Sequence, residues 1–170
     1  GFVRRAKKEV IESRVTTGIY FHNPGKRLFE RSIKWLIKNG FTIITAAELK
    51  KILQGSLVAK PGSVWISLDD GWKENMINVL PYAAKNKIPV TFFISTEPVE
   101  TSGVFWWSIA EKHRTYLPEP FKNSFDKLWK VPEAKRAKVT AFLLDKIYSG
   151  EIKDEYEREA LTIDDVKKIA

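Results

Sequence analysis

Apolar and polar positions alternate with two different periods along the first hundred residues, and the switches between them outline the secondary structure. Residues 16–22 are rich in strand formers and stop at Asn23-Pro24-Gly25, a strong turn signal, so a first strand is expected there. From 26 to 39 the side chains of Phe29, Ile33, Leu36 and Ile37 recur with the 3.6-residue period of one helix face, and Gly40 stands where a C-cap belongs. Residues 41–44 are a short apolar, β-branched run. Thr45 can then cap a helix through Gln54, with Leu49, Ile52 and Leu53 facing inward.

Pro61-Gly62 introduces a strand over 63–68 that ends in Asp69-Asp70-Gly71. Residues 72–85 read as a helix, broken or kinked at Pro81, whose ring clashes with the preceding turn. Residues 89–95, with Val90, Phe92, Phe93 and Ile94, read as the most buried strand of all, of the kind found in a parallel sheet covered on both faces. The unit 63–95 is therefore a βαβ unit. Strand and helix repeating at this spacing predict an α/β fold with a parallel sheet, either open and doubly wound or closed into a barrel.

Residues 105–160 change character. Trp106, Trp107, Phe121, Phe125, Leu128 and Trp129 decorate helical segments, and 133–148 is an amphipathic helix with Val139, Phe142, Leu143 and Ile147 on its apolar face. This stretch is expected to be a helical insertion between strands. A last helix opens at Thr162, an N-cap with Asp165 at the capping-box position. No terminator follows it before Ala170, and too few strands precede it to close a barrel. The domain is therefore expected to continue past Ala170.

Composition narrows the chemistry. A chain of 170 residues with 44% hydrophobic content is the size of one domain with one real core. It has no cysteine, so any metal has to be held by His, Asp, Glu and water. A net charge of +8 would suit nucleic acid or an anionic surface, but the Lys and Arg residues are dispersed, as on solvated helix faces. A nucleic-acid partner is therefore not expected. No Gly-rich loop follows a strand, which argues against a phosphate-binding doubly wound fold. No apolar stretch approaches the roughly 20 residues that cross a bilayer.

In α/β folds, sites gather at the carboxyl ends of the parallel strands, where Asp69-Asp70-Gly71 is expected to lie. Adjacent carboxylates there repel unless a cation or a shared proton relieves them, and Gly71 allows a sharp turn that leaves both open to a substrate. Asp70 is equally suited to be the N-cap of a helix starting at Trp72. His22, at the end of the first strand, is either a pocket residue or a core histidine. His113 lies in a charged helical stretch and is expected to be solvated. Trp72 and the pair Trp106-Trp107 suit stacking on sugar rings or ordinary packing, with Trp72 the better sugar contact.

Val64-Trp65-Ile66-Ser67-Leu68-Asp69-Asp70-Gly71-Trp72 resembles the first motif of polysaccharide deacetylases, commonly T/S-F-D-D-G, with Leu68 in place of the usual Phe. Ile19-Tyr20-Phe21-His22 resembles the opening strand of that family, 89–94 its next strand, and 161–166 the helix before its H-x-x-x-H strand. The resemblance implies a single catalytic domain over 1–170, an irregular (β/α) barrel that is incomplete in this chain, with the helical insertion at 105–160. It implies hydrolytic removal of N- or O-acetyl groups from an acetylated polysaccharide or oligosaccharide. Asp69 would be the general base, and Asp70 a ligand of a divalent metal, zinc being the expectation. His22 and Trp72 would be substrate contacts. The chain has only His22 and His113, not in H-x-x-x-H spacing, so the other ligands are expected beyond Ala170. The alternative is a deacetylase-like domain that binds carbohydrate without turnover.

Overall fold

The computed structural model describes residues 8, 10, 11, 15–101, 103–154 and 157–170. Its centre is a parallel sheet of four strands, β1 (Thr17–Phe21), β2 (Thr42–Ile44), β3 (Ser63–Leu68) and β4 (Thr91–Phe92). β3 pairs with β1 along 64–68, Thr17 lying opposite Val64 and Phe21 opposite Leu68. On its other edge, β2 pairs with 63–65 and β4 with Ser67 and Leu68. Among the described residues β3 alone is flanked on both edges, and the four strands form an open sheet; the expected irregular barrel, incomplete in this chain, is not closed among them. Closing a barrel takes about eight strands, each paired on both edges.

Register decides which side chains share a face. Ile19, Phe21, Ile43, Val64, Ile66, Leu68 and Phe92 lie on one face, where α1 (Lys26–Lys38) covers them with Phe29, Ile33 and Leu36. Val79 and Ala83 complete this core. The second face carries Gly18, Tyr20, Trp65, Ser67 and Thr91, and among the described residues it is only partly covered: Tyr20 keeps 67% of its surface exposed.

The helices after β1 and β2 fall where periodicity places them. α1 ends at Asn39, with Gly40 at φ +81° just beyond. Thr45 caps α2 (Ala46–Leu53) with a full capping box, its Oγ1 accepting from Glu48 N at 3.1 Å while Glu48 accepts from Thr45 N at 2.8 Å. Leu49 and Ile52 are half-buried, but Leu53, expected inward, is 78% exposed because nothing packs over the last turn of this short helix.

No helix starts at Trp72. The first helix after β3 is α3 (Asn75–Asn78), and Pro81 falls at the first turn of a separate helix, α4 (Leu80–Asn86), where the missing N–H costs nothing. The expected strand 89–95 shrinks to Thr91–Phe92, because only Ser67 and Leu68 offer a ladder edge, and Phe93 is 53% exposed rather than buried.

The insertion, which α5 (Thr96–Glu100) precedes, carries α6 (Trp106–Lys112), a 3-10 turn at Arg114–Tyr116, α7 (Asp126–Trp129) and α8 (Glu133–Tyr148). It has a core of its own, in which Ile109, Leu117, Phe121 and Leu128 meet Val139, Leu143 and Ile147 of α8. Phe142, expected on the apolar face, is exposed instead, since it sits about 100° round the helix from Leu143. His113 is buried, not solvated: its Nε2 lies 2.8 Å from Asp154 Oδ2, and Lys112 donates to Asp154 Oδ1 at 2.9 Å. α9 (Ile163–Ile169) starts at the expected capping box of Thr162 and Asp165. No helix among the described residues is long and apolar enough to cross a membrane.

Two outcomes test this packing. Leu143→Ala, at a fully buried position of the insertion core, should lower unfolding free energy by about 2–5 kcal/mol, read as a fall in denaturant midpoint. Hydrogen bonding by Lys112, reinforced by His113 and opposed by burial, holds the Asp154 carboxyl below the usual carboxylate range. Its contribution is therefore present at pH above that range and is lost as pH falls through it. Asp154→Asn should lower stability at neutral pH and make the acid limb of a melting-against-pH curve shallower.

Candidate active site

Three main-chain bonds bring the sequence candidates together at the carboxyl ends of β1, β3 and β4. Asp69 N donates to Phe21 O at 2.8 Å and so extends the β1·β3 ladder by one residue. Phe93 N donates to Leu68 O at 2.9 Å, and Ser95 N to Asp70 O at 3.1 Å, on the β4 side. Asp70 then turns into the left-handed region at φ 70° and Gly71 follows at φ +87°. Two successive left-handed residues reverse the chain, which is why Asp70 begins no helix and does not serve as an N-cap.

The Asp70 side chain faces back to β1. Its Oδ2 lies 2.8 Å from His22 Nδ1 and accepts from Trp72 Nε1 at 3.3 Å. An ionised carboxylate only accepts, so with Asp70 ionised His22 must carry its proton on Nδ1, which leaves Nε2 as the free ring nitrogen. Asp69 differs: its Oδ1 is buried and has no hydrogen-bond partner among the described residues. Asp69 and Asp70 line an open hollow of about 250 Å³ with Phe93, Ile94 and Ser95.

Residues that pattern reading passed over hold this arrangement. Asn75, fully buried, donates from Nδ2 to His22 O at 2.9 Å and fixes the turn after β1. Trp72 forms an isolated antiparallel bridge with Ala160, flanked by Leu161 N to Gly71 O at 2.9 Å and Lys73 N to Glu159 O at 2.7 Å. Its ring packs on Phe105, centroids 4.4 Å apart, so one face of the proposed sugar contact is already covered. Arg158 donates to the carbonyls of Pro98, Val99, Thr101, Ala160 and Leu161, tying the 158–161 segment to α5. Asn75 and Arg158 left no sequence signal, because each acts across a long separation. Trp106 and Trp107 pack against Trp129.

These residues do not by themselves make a metal site. Among the described residues no group of three or more His, Asp or Glu side chains converges. Asp70 already engages His22 and Trp72 through Oδ2. The unpartnered Asp69 Oδ1 is an open acceptor position, but one such atom does not complete a shell.

The turn has a direct test. A Cβ on Gly71 would meet Ile94 Cγ2 at 3.1 Å and would sit on a left-handed backbone. Gly71→Ala should cost about 1–3 kcal/mol of stability in a denaturant melt, whereas Gly25→Ala, where nothing lies within 4 Å, should cost far less.

Comparison with known proteins adds three findings. No curated protein matches the chain. Among solved structures it is similar to a de-N-acetylase from Aggregatibacter actinomycetemcomitans, at 16% identity and a TM-score of 0.41, covering 59% of this chain. The chain spans about half of that protein, 48% of its length. Residues 58–119, and with them β3, Asp69-Asp70-Gly71 and β4, match the polysaccharide deacetylase family, the family that the sequence motifs resemble.

Proposed function

We propose that the chain carries the water-activating part of a deacetylase site, acting on an acetylated polysaccharide or oligosaccharide with Asp69 as the general base. The observation that carries this reading is Asp69 Oδ1, a buried carboxylate oxygen without a partner, on a residue that lines an open hollow at the strand ends. Buried polar atoms are almost always hydrogen-bonded, so an acceptor left open beside a hollow suits a water molecule or a ligand donor. The family match over 58–119 supports the same reading.

In this reading water donates to Asp69, and its oxygen bonds to the acyl carbon as Asp69 takes the proton. The bond from acyl carbon to the sugar nitrogen or oxygen then breaks, and a proton passes to the leaving atom, so one water is consumed and acetate is released. Asp70 is assigned to an ion-facing role and His22 and Trp72 to holding its carboxylate, since both reach Oδ2. The divalent ion that the family resemblance implies would find one carboxylate donor here, Asp70. Its remaining donors would have to come from outside the described residues, and no step above runs through it.

The test is acetate release from N-acetylated oligosaccharides by the protein, with divalent cation in the buffer. Asp69→Asn should lower the rate by about 100-fold or more while oligosaccharide binding persists, and Asp70→Asn should weaken cation binding in calorimetry. A full rate in Asp69→Asn would overturn the base assignment. Sugar binding by the wild type with no acetate release would instead favour a non-catalytic carbohydrate-binding domain.

A further inference from the structure

A second cavity, of about 480 Å³, lies between α5 and the helices of the insertion. That volume is within the roughly 300–1,000 Å³ of ordinary small-molecule sites. Ser95 lines both this cavity and the Asp69-Asp70 hollow, and its N–H is bonded to Asp70 O. We infer that this cavity is a binding subsite for a neighbouring pyranose unit of the same polymer whose acetyl group meets Asp69. The inference rests on the deacetylase reading and goes beyond it, because it assigns the insertion a part in holding the chain of sugars.

The lining matches a sugar ring, which has an apolar C–H face and a rim of hydroxyls. Trp106 and Trp107 supply apolar wall. They are packed against each other and against Trp129, with Trp107 also stacked on Phe105 at 4.9 Å, so the wall is rigid before any ligand arrives. Arg136 supplies the polar side. Its guanidinium sits 5.1 Å from the Trp106 ring centre and its Nη1 donates to Val131 O at 2.7 Å. Its Nε–H is buried and meets no acceptor among the described residues, a donor that a sugar hydroxyl or ring oxygen would satisfy. Glu97, Glu133 and Thr140 add acceptors and a hydroxyl around the same space.

The insertion is thereby more than a prop. A polymer that fills both cavities gains affinity from a unit that undergoes no chemistry, and a single sugar unit lacks that gain.

The experiment measures binding of mono-, di- and trimeric N-acetylglucosamine, β-1,4- and β-1,6-linked, to the full chain by calorimetry, alongside acetate release. The expected result is at least 10-fold tighter binding of the trimer than of the monomer. Ala137→Trp, which places an indole into the cavity from an exposed position on α8, should bring the trimer down to the wild-type affinity for the monomer. Arg136→Met, which keeps a long unbranched side chain but carries no N–H donor, should lose most of the same gain. A length dependence that both variants leave intact would overturn the subsite while leaving the deacetylase reading standing. If no oligomer of either linkage binds and none is deacetylated, both readings fail for this class of sugar.

Discussion

The positions of Asp69 and Asp70 depend on one strip of main chain that crosses behind them. Residues 159–161 are bonded on one side to Gly71 and Lys73 and on the other to Gly103. The reversed turn at Asp70-Gly71 could not keep its left-handed backbone without such bracing, since left-handed residues are unfavourable unless surrounding contacts over-determine them. Arg158 holds the strip itself, its guanidinium spread over carbonyls from α5 and from the strip. A charged donor with several oxygens to satisfy is a strong, directional clamp.

This crossing also explains why the insertion and the sheet meet where they do. Val99, Phe105, Ala160 and Leu161 form a small core between them, with Trp72 and Trp107 packed against it. Trp72 thus joins two duties, filling this junction with its ring and donating to Asp70 from its indole nitrogen. Ser108 and the main chain of Phe105 both donate to the Glu159 carboxylate, so the first helix with the insertion core is fastened to the same strip. The catalytic candidates and the cavity beside them are held by shared contacts.

The two carboxylates differ in what their surroundings leave them free to do. Asp70 is engaged by an imidazole and an indole, whereas Asp69 has an oxygen that nothing engages. Asp69 also continues the ladder with β1, so its backbone is as fixed as a strand residue. The base role proposed above needs such a fixed carboxylate beside the hollow.

The sequence by itself determined the local elements and the motif. The 3.6-residue period gives α1 and α8, the capping boxes at Thr45 and Thr162 are read from two residues each, and Asp69-Asp70-Gly71 stands at the end of a strand whose bounds match the apolar run. These follow from interactions within a few residues, which a linear pattern records. Only the tertiary structure decided the burial of His113 against Asp154, the clamp of Arg158, the amide of Asn75 on His22 and the cavity by Ser95. It also decided the failures: Leu53 and Phe142 face solvent, and the run at 89–95 pairs over two residues, because burial and pairing depend on which neighbour arrives from elsewhere in the chain. Partners 40 to 60 residues apart leave no periodic trace, so their geometry exists only once the sheet and the insertion are brought together.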